Sequence, residues 1–167
     1  MPLLFQLRAE LFIAAIIVAI DQGVKNVVRV TLELHESVEV IPNFFSLTRV
    51  HNYGAAFGLM NAVDFPFKTA LLAVVAAVAL GALAWYGASL PAEQRLARAG
   101  LALVVGGAAG NLIDRLREGY VVDFVDLYWR GWHFWAFNVA DAAITVGVAF
   151  MILDMLEVGR RHVSRTV

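Results

Sequence analysis

Residues 69–88 read TALLAVVAAVALGALAWYGA, twenty consecutive positions without a charge. A helix of that length rises about 30 Å, the thickness of a bilayer's hydrocarbon core. This stretch therefore predicts a membrane-spanning helix, and three weaker stretches join it. One covers about Leu7–Val28 and contains the uninterrupted apolar run Leu11–Ile20. The others cover about Ala97–Ile113, with Arg98 near its start, and about Phe137–Glu157. Arg8 precedes the first run, as in a secretory signal peptide. However, Asp21-Gln22-Gly23-Val24-Lys25 follows where a small-x-small cleavage site would stand, so the segment is read as a retained helix.

The composition agrees. The 167 residues are 60% hydrophobic and 16% charged, with a mean hydropathy of +0.72. Soluble domains are nearer half apolar and a quarter charged. One membrane domain spanning 1–167 is the expectation. The net charge of −1, with no basic run interleaved with aromatics, gives no footing for nucleic acid. Without cysteine there is no disulfide, thiolate nucleophile or Cys-based zinc site. Lys and Arg set the orientation, because short cytoplasmic loops are enriched in them. Arg8, then Arg95 and Arg98, then Arg160, Arg161 and Arg165 fall on one face of a four-span protein. Both termini are read as cytoplasmic.

The opposite face then receives two loops, about 29–68 and 114–136. The first holds β-like stretches, Val38–Ile41 and Phe44–Val50, punctuated by Pro42-Asn43, Gly54 and Gly58. The second carries Phe124, Tyr128, Trp129, Trp132, Phe134 and Trp135, a density of aromatics that marks the headgroup level. The fold class is thus mainly α: a four-transmembrane-helix bundle with a small extracytoplasmic β element and an interfacial aromatic-rich loop. Gly106-Gly107-Ala108-Ala109-Gly110 supplies small residues that let a neighbouring helix approach, and packing is its expected role. No Gly-Lys-Ser/Thr follows these glycines, so they form no phosphate loop.

The side chains able to do chemistry are few. His35, His51, His133 and His162 show no metal-binding spacing, and Ser37, Ser46, Ser89 and Ser164 lie in no nucleophile motif. No metal or other cofactor is expected. Carboxylates remain. Asp123 and Asp141, eighteen residues apart, each sit beside a membrane-length apolar stretch, where an acid is costly and a functional candidate by default. Two close carboxylates cannot both ionise cheaply. One then holds a proton while the other accepts one, which gives a general acid and a general base.

Five blocks now stand in order along the chain: Asp21-Gln22-Gly23-Val24-Lys25, His51-Asn52-Tyr53-Gly54-Ala55-Ala56-Phe57, Gly110-Asn111-Leu112-Ile113-Asp114-Arg115, Val121-Val122-Asp123-Phe124 and Phe137-Asn138-Val139-Ala140-Asp141. Together they resemble the motif blocks of bacterial lipoprotein signal peptidase, the type II signal peptidase. The resemblance implies an aspartic endopeptidase of the bacterial cytoplasmic membrane with Asp123 and Asp141 as its catalytic dyad at the outer face. Its substrate would be a prolipoprotein whose cysteine already carries diacylglycerol, cut just before that cysteine. It also implies sensitivity to globomycin-type cyclic peptides; membrane lipids are the other expected partners, and a monomer is expected.

Further candidates surround the dyad. Asn52, Asn111 and Asn138 can hold the substrate backbone or orient the carboxylates, with Gly54 shaping the turn after Asn52. Arg115 can meet a lipid ester or headgroup phosphate, or pair with Asp114. Asp114 is read mainly as an ion-pair partner of Arg115 or Arg117, and Asp126 as a rival to Asp123. Asp21 and Lys25, at i and i+4, are read as a supporting pair. Two other classes compete: a small transporter using Asp21, Asp114 and Asp141 as a relay, and an assembly factor docking through the small-residue stripe. Transporters usually show repeats and broken helices, and this chain shows neither.

Overall fold

The computed structural model describes residues 3–54 and 65–163. Four helices, α1 (Leu3–Thr31), α2 (Lys68–Ser89), α3 (Arg95–Glu118) and α4 (Val139–Val163), are each long and apolar enough to cross a membrane. Strands β1 (Ser37–Ile41), β2 (Phe45–Asn52), β3 (Val121–Trp129) and β4 (Trp132–His133) form one antiparallel sheet in sequential order. The chain is mainly helical, as its hydropathy predicts.

Three boundaries differ from the sequence reading. α1 extends through Thr31, and α3 runs to Glu118 where Ile113 was expected as its end. α4 starts at Val139, two residues after Phe137. Segment 114–136, read as an aromatic loop, is largely ordered: α3's last turn, then strand β3, then a hairpin into β4. That hairpin turns on Arg130 (φ 50°) and Gly131 (φ 81°), the paired left-handed conformations that a two-residue turn needs. Apolar and aromatic residues without clean alternation hid β3, because its first half is buried on both faces. The motif residues Ala55, Ala56 and Phe57, together with Gly58, lie outside the described residues.

The helices pack around α3, which lies against α4 and α1, with α2 packed chiefly on α3. Bilayer lipid gives helices no hydrophobic incentive to associate, so close backbone approach must supply it. The glycine stripe does this. A Cβ at Gly106 would stand 2.9 Å from the Ala14 carbonyl of α1, and one at Gly107 would collide with the Ala140 carbonyl of α4. A Cβ at Gly110 would meet Asp21 Oδ2 at 2.6 Å. Lower down, Gly100 and Gly147 bring the α3 and α4 backbones into contact. Val28 of α1 packs with Val122 and Phe124 of β3, which seats the sheet on one end of the bundle.

Replacing Gly107 by Val should cost about 1–3 kcal/mol through overpacking. Thermal unfolding in detergent should show this as a lowered midpoint. Gly81→Val, at a position with nothing within 4 Å, should leave the midpoint in place.

Candidate active site

The end of α1, the end of α3, the start of α4 and strand β3 converge beneath the sheet. Asn138 explains how. It immediately precedes α4 and makes reciprocal bonds with Asp141 in that helix's first turn. Asp141 N–H donates to Asn138 Oδ1 (3.0 Å) and Asn138 N–H donates to Asp141 Oδ2 (3.3 Å). This is a capping box with Asn and Asp in place of the usual pair. The Asn138 amide then reaches out of the helix, donating to Asp123 Oδ1 (2.6 Å), Val122 O (3.3 Å) and Asn111 Oδ1 (3.2 Å). One fully buried asparagine thus ties both candidate carboxylates together.

Each acid has a further amide donor. Asn52, at the end of β2, donates to Asp123 Oδ2 (3.0 Å), and its own oxygen accepts the Gly54 N–H (2.9 Å). Asn111 of α3 donates to Asp141 Oδ1 (2.8 Å). Its carbonyl oxygen is taken by Lys25 Nζ at 2.8 Å, so the Asn111 amide has only one workable orientation. Arg115, one turn beyond, donates to Asn111 O (3.3 Å) and Gly54 O (3.0 Å) and lies within Coulombic reach of both candidate acids.

Beneath this layer is a buried charge cluster. Lys25 Nζ lies 2.8 Å from Asp21 Oδ2 and 3.0 Å from Asp114 Oδ2, and none of the three side chains is exposed. Asp114 also pairs with Arg29 (2.9 Å) and accepts from Gln22 (3.0 Å) and the Val122 N–H (3.2 Å). Asp21 Oδ1 accepts the Ala140 N–H at 3.0 Å, capping α4 from another helix. The expectation that Asp114 pairs with Arg115 or Arg117 is therefore corrected. The end of α3 turns Asp114 toward α1, while Arg115 faces the Asn52–Gly54 turn. Gln22 stood in its motif block without a role, and Arg29 went unremarked in the sequence. The signal was present: positions 21, 25 and 29 make one polar stripe at i, i+4 and i+8.

The rival acid Asp126 stands apart, with His133 Nδ1 of β4 3.0 Å away. His51 stacks on Tyr120 with ring centroids 3.7 Å apart. Burial, and then the Arg49 charge, hold its imidazole below the usual pKa. Asp123 is an acid of the sheet whose proton is held more tightly than usual. It is 2% exposed, and burial followed by the Asp141 charge pushes it up to about 7 against the donors Asn52 and Asn138.

A family model described as signal peptidase (SPase) II matches residues 13–157. The chain belongs to the signal peptidase II family. The lipoprotein signal peptidase of Syntrophotalea carbinolica is 45% identical over 159 residues, covering 95% of this chain and 98% of that one. That of Geobacter metallireducens is 46% identical over 150 residues, covering 90% and 91%. Two bacterial membrane enzymes solved by the in meso method share the fold. The one at 2.3 Å resolution has a TM-score of 0.75 at 32% identity, covering 89% of this chain and 88% of that one. The one at 1.9 Å has 0.77 at 28%, covering 89% and 92%. This signal peptidase II is thus a multi-pass membrane peptide hydrolase.

Asn138→Ser separates the two jobs of that residue. Serine keeps the helix cap, so the loss of stability should be confined to that of the buried amide bonds, about 1–3 kcal/mol. It cannot reach Asp123 and Asn111 as the amide does, so kcat should fall at least about 100-fold. A stable variant with near-normal turnover would remove the amide bridge from the site's function.

Proposed function

We propose that the chain is an aspartic endopeptidase that removes the signal peptide from diacylglyceryl-modified prolipoproteins, cleaving just before the lipidated cysteine, with Asp123 and Asp141 as the dyad. The observation that carries this is Asn138, whose side-chain amide donates to the Asp123 carboxylate and whose backbone N–H donates to that of Asp141. Charge counting supports one shared proton. Lys25, Arg29 and Arg115 bring three positive charges to the cluster, and Asp21, Asp114, Asp123 and Asp141 bring four potential negative ones. Neutrality is reached when a single proton resides among the four acids. Asp123, pushed up to about 7, is where it rests.

The chemistry then divides between the pair. Asp141, as carboxylate, removes a proton from a water molecule that attacks the scissile carbonyl carbon. Asp123 gives its proton to the carbonyl oxygen as the tetrahedral species forms. Collapse of that species breaks the C–N bond as one of its two hydroxyls returns a proton to Asp123, and the proton gained by Asp141 goes to the leaving nitrogen. Asn52, Asn111 and Asn138 fix the carboxylates, while Arg115 offers a cation for the substrate's lipid ester or a nearby phosphate. Gly54 holds the turn against Arg115, and Asp21, Lys25 and Asp114 hold the three helices in place.

The same reading puts the protein in the bacterial cytoplasmic membrane. Four crossings leave both termini on one side, and the Arg-bearing ends argue for the cytoplasm. The dyad is then at the outer face, where the substrate's diacylglyceryl group pins the bond to be cut. Globomycin-type cyclic peptides would occupy this site, and the chain would act as a monomer.

Asp123→Asn and Asp141→Asn should each abolish cleavage of a lipidated precursor while the protein still inserts and folds. Full retained turnover in either rejects the dyad. An unlipidated precursor should be cut far more slowly, since remote binding energy positions the bond; equal rates reject the lipid-anchoring role.

The pH profile has a defined sign. Asp123 must be protonated to act as the acid, so kcat/KM should fall as pH rises through about 7, by about tenfold per pH unit above it. A rate that climbs steadily from pH 6 to 9 contradicts the assignment.

A further inference from the structure

The end of the bundle away from the dyad holds a cavity of about 270 Å³ between α1 and the α2–α3 connection. Ala9, Glu10, Ile13, Ala92, Arg95 and Ala99 line it together with Arg98. Arg98 is 7% exposed and anchored, its Nε donating to Glu10 Oε1 (2.6 Å) and its Nη1 to Leu90 O (3.0 Å). Its Nη2 donors find no partner among the described residues. Glu10 Oε2 is buried and also lacks one. Arg95, exposed at the first residue of α3, adds a second guanidinium.

Depth identifies what surrounds this cavity. Arg95 and Arg115 are twenty residues apart on α3, about 30 Å along the axis, which equals the hydrocarbon thickness. With Arg115 at one lipid boundary, Arg95 lies at the other, among headgroups of the opposite leaflet. Position around α3 separates the cavity from the dyad. Asn111 and Gly107 face α4, whereas Arg95 and Ala99 fall on the α1 side with Gly106 and Gly110.

We infer that this cavity is a binding site for a phosphatidylethanolamine headgroup from the leaflet opposite the dyad. Arg98 Nη2 and Arg95 supply a pair of guanidinium groups for the phosphodiester, the ligand class that arginine matches best. Glu10 supplies an acceptor for the primary ammonium. The outer torsion of a glutamate is soft, so rotation of the carboxylate can turn Oε2 toward the cavity. The short walls of Ala9, Ala92 and Ala99, with Ile13, leave an apolar path for an acyl chain. Phosphatidylglycerol offers no cation to Glu10, and the choline headgroup has no N–H to donate.

Thermal unfolding and native mass spectrometry of the full chain in detergent, doped with defined lipids, test this. Phosphatidylethanolamine should raise the midpoint and remain bound in preference to phosphatidylcholine or phosphatidylglycerol. Glu10→Gln and Arg95→Ala should each weaken that binding roughly tenfold, the size expected for one charge-assisted bond. Should Glu10→Gln fail to fold because Arg98 loses its partner, the exposed Arg95→Ala variant decides alone. Soluble O-phosphoethanolamine at matched concentration should produce no shift. Equal responses to the three lipids, an Arg95→Ala variant that binds as the parent does, or an equal shift with the soluble headgroup would each overturn the proposal.

Discussion

The buried ammonium of Lys25 is the constraint on which the rest depends. It is fully removed from solvent and shares its three protons among Asp21, Asp114 and Asn111. Desolvating such a cluster costs several kcal/mol per ion, recovered only with near-complete hydrogen bonding. Here the bonding is near complete, since Gln22, Arg29, the Val122 N–H and the Ala140 N–H fill the remaining carboxylate positions. The cluster thus works less as a source of stability than as a lock on register. A one-residue slip of α1 against α3 would leave a charge unpaired in a medium that cannot solvate it.

The site inherits its geometry from that lock. Asp21 caps α4 from across the bundle, which sets where α4 begins. Asn138 then falls at the cap position and Asp141 in the first turn. Asp114 holds the Val122 N–H, which sets where β3 leaves the bundle and presents Asp123 next to it. Lys25 orients the Asn111 amide, and Asn111 orients Asp141. Glycines permit all this: side chains at Gly106, Gly107 or Gly110 would push α1 or α4 away and open the cluster.

Much of this was legible in the sequence, and the reasons differ by element. The four helices were legible because a bilayer demands about twenty apolar residues and α2 supplies them unbroken. β1 and β2 were legible through Pro42-Asn43 and the β-branched residues around it. β3 was not, because a strand buried on both faces gives no alternating signal beside so many aromatics. Among site residues, Asp21 and Lys25 announced themselves by i, i+4 spacing. The partner of Asp114 did not: sequence neighbours favoured Arg115, whereas the helix turns adjacent positions about 100° apart and gave Asp114 to α1. Asn138's double role was hidden too, since a capping asparagine reads the same whether or not its amide reaches a second carboxylate.

The location of the proposed dyad answers opposing demands on the solvent. A carboxylate pair shares a proton near neutral pH only where the local dielectric is low, since charges 4 Å apart repel by about 1 kcal/mol in water and about 4 at a protein boundary. Hydrolysis, on the other hand, consumes a water molecule. The bundle midplane would satisfy the first demand and fail the second; a solvated loop would do the reverse. The junction of a helix start with a sheet laid over the bundle's end meets both. Asp123 is 2% exposed, the place for a retained proton in the proposed mechanism, while Asp141 is partly open and within reach of water. The proposed division of labour between acid and base then rests on depth: the two side chains are chemically alike, and the fold sets them at different distances from solvent.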